Sequence, residues 1–209
     1  MIKNIAFDVG GVLAIERHSF SELKNNSELG IHGFMVKKLG LDMDSWFDSI
    51  DWAYSKSNEG KISKKEALFY MSNNVGVSSF KLENLFLKAY KRKFRRNNEL
   101  FNFAFSLKEK YKISILSDQW HVSKDGVILS KDVKKFDSAV FSCDVGFRKP
   151  NPKIFELALK KAKISSSEML FIDNREWNVK SARKLGIKSI LYKNNKQLLD
   201  EIDKSGVLR

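Results

Sequence analysis

Two kinds of hydrophobic pattern alternate along the chain. Short continuous apolar runs that end in turn residues read as buried strands, since both faces of such a segment must be covered. The first is Ile2 to Val9, closed by Gly10 and Gly11. Four more lie in the second half, at Ile113 to Leu116, Ala139 to Phe141, Met169 to Ile172 and Ser189 to Tyr192. Between them the apolar positions recur at helical spacing. Lys153 to Lys163 carries Ile154, Phe155, Leu157, Ala158 and Ala162, and Trp177 to Leu185 stops at Gly186, a C-cap residue. From about residue 98 onward strand and helix alternate, which predicts a doubly wound α/β fold with a parallel sheet. Right-handed crossovers then bring the loops at the carboxyl ends of the strands into one crevice.

Residues 16–92 follow a different rule. Phe20, Leu23, Phe34, Met35, Leu39, Trp46, Phe47, Ile50, Trp52, Leu68, Phe69, Met71, Leu82, Leu85 and Phe86 fall mostly three or four apart, with no strand alternation. This predicts a helical module inserted after the first strand, leaving 1–15 and 93–209 as the core. Ser63 and Glu66 have the spacing of a capping box opening one of its helices.

Composition narrows the classes. The chain has 209 residues, 43% hydrophobic and 30% charged, as expected of a globular protein. One cysteine, Cys143, excludes an internal disulfide and a cysteine zinc cluster; it reads as a small buried hydrophobe in a reducing, cytoplasmic setting. No apolar run reaches the length of a membrane span, and the apolar start is broken by Asp8 and two glycines, unlike a signal peptide. The net charge of +13 invites a nucleic-acid reading. Thirty lysines against eight arginines argue against it, because arginine is the better reader of phosphate and bases. The densest basic run, Lys91 to Arg96, reads as a solvated helix face.

The predicted strand ends carry the chemistry. They deliver Asp8, then Ser117 with Asp118, then Lys149 just beyond the third run, then Asp173 with Asn174. One crevice would hold carboxylates, a hydroxyl and an ammonium. Each residue alone is ordinary: an Asp or Ser at a strand end usually caps or turns. Together they suit nucleophilic attack on phosphorus, with Mg²⁺ held by hard oxygen ligands.

In this order the motifs FDVGGVL, LSD, RKPNPKIFELAL and FIDNREWNVKSARKLGI resemble the four motifs of the haloacid dehalogenase-like (HAD) hydrolases, over nearly the whole chain. The resemblance implies a Rossmann-like core with an inserted helical cap and a phosphatase activity on a small phosphorylated metabolite. It implies Asp8 as nucleophile, Ser117 holding the transferring group and Lys149 bridging nucleophile and phosphoryl charge. Gly10, Gly11 and Asp118 would join the phosphate site. Asp8, the Gly10 carbonyl, Asp173 and Asn174 would hold Mg²⁺.

Two positions depart from the family pattern. Gly10 stands where most family phosphatases carry an Asp as general acid and base, and Asn174 stands where the acidic pair usually ends in Asp. They motivate a rival reading, a non-catalytic HAD-fold phosphate-binding protein. The family's 2-haloacid dehalogenases also lack the second Asp. They typically have Tyr where this chain has Phe155, Ser where it has Asp173 and Asp where it has Asn178, and Asp173 would repel a halocarboxylate.

The remaining candidates have bland readings. His121 belongs on a helix surface, Asp118 caps the following helix, and Trp46, Trp52 and Trp120 pack in a core. Glu16, Arg17 and His18, at the entry to the helical module, are the expected substrate contacts.

Overall fold

The computed structural model describes residues 1–206; residues 207–209, which end the expected core, lie outside the described residues. A five-stranded parallel sheet has the order β5-β4-β1-β6-β7. Its strands are β1 (Asn4–Phe7), β4 (Lys112–Ser117), β5 (Ser138–Phe141), β6 (Met169–Asp173) and β7 (Lys188–Leu191). The predicted runs all lie on these strands, with ends shifted by a residue or so: Tyr192 falls just past β7. Alternation assigns side chains to the two faces. Ile5, Phe7, Ile113, Ile115, Leu170 and Ile172 enter one apolar cluster, covered in part by helix Asn98–Ser106. Ala6, Leu116, Met169 and Phe171 enter the other, beneath helices Pro152–Ala162 and Glu176–Lys184.

Register sets the crevice. Phe7 pairs with Ile115 on one side and Ile172 on the other. Asp8 and Asp173 are therefore the next residues along their strands, and Ser117 is two past Ile115. Three polar side chains emerge at nearly one level at the carboxyl edge of adjacent central strands.

The chain leaves this core through β2 (Ala14–Glu16) and returns through β3 (Phe94–Arg96), which pair antiparallel as a short stem. Five helices lie between, Phe20–Asn25, Ile31–Leu39, Met43–Asn58, Lys64–Val75 and Ser79–Lys93. Gly40 and Gly76 close two of them in left-handed conformation, both with φ 69°. The Ser63 capping box is formed: Ser63 Oγ accepts from the Glu66 N–H, and Glu66 accepts from the Ser63 N–H. Trp46, Ile50, Met71, Leu82 and Phe86 make the interior of this segment, and Trp120 from the core inserts into it. Its ring meets Phe86 edge-on at 4.9 Å, and its Nε1 donates to the Tyr90 hydroxyl at 2.7 Å.

Several expectations change here. The basic run is not one helix face: Lys91 to Lys93 end a helix and Phe94 to Arg96 form β3. Arg96 is engaged, paired with the buried Asp132 at 3.1 Å and stacked on Phe101. Trp46 and Trp120 are core residues, as expected, but Trp52 is half exposed beside Tyr70. Cys143 is buried. Among the described residues no helix is long and apolar enough to cross a membrane.

Candidate active site

Lys149 organises the crevice. Its side chain is 1% exposed, so each of its three N–H bonds needs an oxygen. Nζ lies 2.6 Å from Asp173 Oδ2, 3.0 Å from the Leu116 carbonyl and 2.9 Å from Asp8 Oδ1. The last approach is off-line, and Asp8 Oδ1 counts as a buried oxygen without a hydrogen bond. Burial opposes the lysine charge, but Asp8 and Asp173 outweigh it and raise its pKa. Burial pushes the Asp8 carboxyl up to about 6; Lys149 opposes this, and the Asp173 charge adds to it.

Asp173 is held from every side. Oδ1 accepts the Arg175 N–H at 2.7 Å, and Oδ2 also accepts from Asn178 Nδ2 at 3.0 Å. Ser117 is fully buried, and its Oγ accepts from Gln119 Nε2 at 3.1 Å. Gln119 Oε1 in turn accepts from Ser123, which fixes the amide.

The nucleophile loop differs from expectation at one glycine. The Gly11 N–H donates to the Ala14 carbonyl at 2.7 Å, so it is not free for a phosphate. The N–H groups of Val9 and Gly10 have no acceptor among the described residues. Gly11 has φ 82°, and a Cβ there would lie 2.2 Å from Asn174 Nδ2, so the close approach of Asn174 requires glycine. Gly10 lines the cavity, its φ is not positive, and a Cβ would meet nothing within 4 Å.

The donor set fits a hard divalent cation. Asp8 Oδ1, Asn174 Oδ1 and Asn178 Oδ1 are buried oxygens with no hydrogen-bond partner. The Gly10 carbonyl accepts no hydrogen bond among the described residues, and Asp173 Oδ1 has a lone pair left. Such oxygens are costly to bury unless something positive meets them.

Other expected site residues fall elsewhere. Asp118 lines the cavity but does not cap the next helix: its Oδ1 accepts the Lys149 N–H at 2.9 Å and so ties that loop to β4. Burial raises its pKa, against the nearby Lys149 charge. His121 is not a plain surface residue; its Nδ1 is 2.8 Å from Ser57 Oγ, joining core to helical segment. Glu16, Arg17 and His18 do not line the cavity. Glu16 pairs with Lys93, Arg17 Nε donates to the Lys91 and Phe94 carbonyls, and His18 sits by Glu22. Glu16 and Arg17 thereby tie the β2 side of the stem to the end of helix Ser79–Lys93 and to β3.

The cavity above Asp8 and Lys149 has a volume of about 430 Å³. Its other walls were not foreseen in the sequence: His32, Tyr54 and Asn58 from the helical segment, and Arg148, Arg175 and Trp177 from the core loops.

The family model for the haloacid dehalogenase-like hydrolases matches residues 2–186, and the chain belongs to that family of hydrolases. It is 25% identical over 215 residues to the D-ribitol-5-phosphate phosphatase of Bacteroides thetaiotaomicron, covering 97% of each chain. It is 25% identical over 219 residues to bifunctional epoxide hydrolase 2 of Sus scrofa, covering 97% of this chain and 38% of that protein. The chain spans under two fifths of the length of several relatives it matches. A HAD family enzyme of Bacteroides thetaiotaomicron, solved with magnesium and inorganic phosphate, superposes with a TM-score of 0.70 at 22% identity, over 95% of this chain and 99% of that one.

Proposed function

We propose that the chain is a magnesium-dependent phosphomonoesterase with Asp8 as nucleophile. The observation that carries this reading is the Asp8–Lys149–Asp173 network at adjacent strand ends, buried together with amide oxygens that have no hydrogen-bond partner among the described residues. The printed activities of relatives support it: one is a D-ribitol-5-phosphate phosphatase, another a glyceraldehyde 3-phosphate phosphatase.

Asp8 attacks phosphorus in line, forming a carboxyl–phosphoryl bond while the ester P–O bond breaks and the alcohol leaves. Lys149 holds Asp8 in place and stabilises its ionised form. The Val9 and Gly10 N–H groups and the Ser117 hydroxyl take the phosphoryl oxygens. Asp8, the Gly10 carbonyl, Asp173 and Asn174 would hold Mg²⁺, which would supply positive charge against the nucleophile and the phosphoryl oxygens. Water then cleaves the aspartyl-phosphate and regenerates Asp8. The helical segment, residues 16–92, serves as a cap that shields the site and selects the leaving group.

The test is a screen of phosphorylated metabolites with Mg²⁺ against an Asp8→Asn control. Turnover of at least one compound, lost in the control and on adding EDTA, is expected. No turnover above the control would leave a phosphate-binding protein without catalysis.

A further inference from the structure

Catalysis at Asp8 accounts for only one part of the cavity. The helical-segment side of it has a hydrogen-bond inventory of its own. Tyr54 and Asn58 are four residues apart on helix Met43–Asn58, so their side chains share a face. Asn58 is 4% exposed, and its Oδ1 accepts from Ser142 Oγ at 3.1 Å. The one Ser142 hydroxyl proton is shared with the Gln119 carbonyl, also at 3.1 Å, so the contact ties down one end of the Asn58 amide and leaves the other for the cavity that Asn58 lines. The Tyr54 hydroxyl has no hydrogen-bond partner among the described residues, and Tyr54 lines the same cavity. Arg148 stands close enough for its charge to act on that phenol. Its guanidinium is exposed to the cavity and makes no ion pair or hydrogen bond among the described residues.

His32 adds a donor. Trp46 Nε1 donates to its Nδ1 at 3.0 Å, so the ring proton sits on Nε2, and burial with the Lys93 charge keeps the imidazole neutral. Two acids feel the Arg148 charge: Glu59, which is paired with Lys61, and Asp118, which has one oxygen already committed to the Lys149 N–H. Donors therefore outnumber acceptors on this wall. A wall of unpaired donors around a guanidinium is complementary to anionic oxygen, because each donor is left costly until an acceptor arrives. The net charge of +13 draws anionic ligands toward the chain.

We propose that Arg148, Tyr54 and Asn58 form a second anion subsite, which binds a carboxylate or a second phosphate on the non-reacting end of the substrate. The substrate is then a phosphate monoester bearing another anionic group. This deepens the phosphatase reading and rests on it only for the reacting end.

The experiment uses matched ligands. Glycerol 3-phosphate and 3-phosphoglycerate differ in a hydroxymethyl against a carboxylate; fructose 6-phosphate and fructose 1,6-bisphosphate differ in a second phosphate. Binding to the Asp8→Asn chain with Mg²⁺ is measured by calorimetry, and turnover by the wild-type chain is measured in parallel. The more anionic member of at least one pair should bind about tenfold more tightly, as expected for one good charge-assisted contact. The pair that shows the gap tells carboxylate from phosphate. Arg148→Met should collapse the gap and Tyr54→Phe should narrow it. Lys88→Met, which removes the same charge from an exposed helix position, should leave it in place. No gap in either pair, or a gap that survives Arg148→Met, overturns the subsite. A gap without turnover by the wild-type chain keeps the subsite and removes the phosphatase reading; turnover without a gap does the reverse.

Discussion

The carboxyl edge of the sheet and the interior of the helical segment are built by opposite means. At the sheet edge Lys149 touches three oxygens within 3.0 Å, and Asp173 accepts hydrogen bonds at both of its own. Position there is set by direction and charge. Inside the helical segment Trp46, Phe86 and Trp120 meet through rings whose centroids lie 4.9 and 5.7 Å apart. Position there is set by shape. A polar network fails when one member is lost, because the partners left behind stay buried and charged. An apolar interior relaxes around a loss. The two regions should therefore respond differently to substitution.

The largest effect is expected at Lys149. Lys149→Met leaves the Asp8 and Asp173 carboxylates buried and facing each other. Breaking a buried ion pair on one side costs about 3–5 kcal/mol. Urea unfolding should show a loss of this size, together with loss of turnover. A variant as stable as the wild-type chain would mean that the network is loosely held and that the contrast between the two regions is wrong.

Next comes Gly10. Nothing lies within 4 Å of a Cβ there, and the backbone is not left-handed, so Gly10→Asp should fit without strain. A restored general acid contributes about 10²–10⁴-fold. The gain should be greatest for alkyl phosphates, which leave poorly. In the wild-type chain an aryl phosphate should give a burst of leaving group as phosphate accumulates on Asp8, since no carboxylate activates water for the second step. Rapid-quench kinetics with mass spectrometry of the quenched protein reads both effects. No burst would mean that another cavity group activates that water.

A third effect is linkage at Asp8. Its carboxyl is raised from 3.8 to about 6 in the folded chain. Between those values the folded state holds a proton that the unfolded state has released. The Asp8 contribution to stability without metal, read as the difference between the wild-type chain and Asp8→Asn, should therefore fall as pH rises from about 4 to 6 and then level off. Asp8→Asn should flatten that segment of the curve. Thermal unfolding in EDTA across this range checks it. A difference between the two curves that grows with pH through the window would show that the Lys149 charge outweighs burial at Asp8.

How much of this was legible in the sequence follows the same division. Five apolar runs with turn residues place the sheet, and the polar residues at or just past their ends are Asp8, Ser117 and Asp173, because a strand fixes where its last residues emerge. The stem β2–β3 was not legible: three residues each, Ala14–Glu16 and Phe94–Arg96, are too short to show alternation. That hid the true place of Glu16, Arg17 and His18. Tyr54 and Asn58 were also hidden. Their spacing of four marks a common helix face, but only packing decides that this face looks at Lys149 rather than at water. The partner of Asp118, the Lys149 N–H, lies 31 residues away, and local sequence around a strand end gives no sign of it.

The smallest effect is expected at a feature of the helical segment that was legible, the capping box at Ser63. Ser63 Oγ accepts the Glu66 N–H at 3.2 Å, one of the donors that the start of helix Lys64–Val75 cannot satisfy internally. Ser63→Ala removes that acceptor and should cost about 1 kcal/mol. Ser63 does not line the cavity, and the helix it opens packs mainly on Met43–Asn58. The interior around Met71 and Leu68 should absorb a frayed first turn without moving Tyr54 or Asn58. Unfolding midpoints should shift slightly, while kcat/KM and its pH profile stay at wild-type values. A variant that loses activity out of proportion to stability would show that the segment passes strain from Ser63 to the cavity wall. In that case its interior is as brittle as the charged network, and shape alone does not describe it.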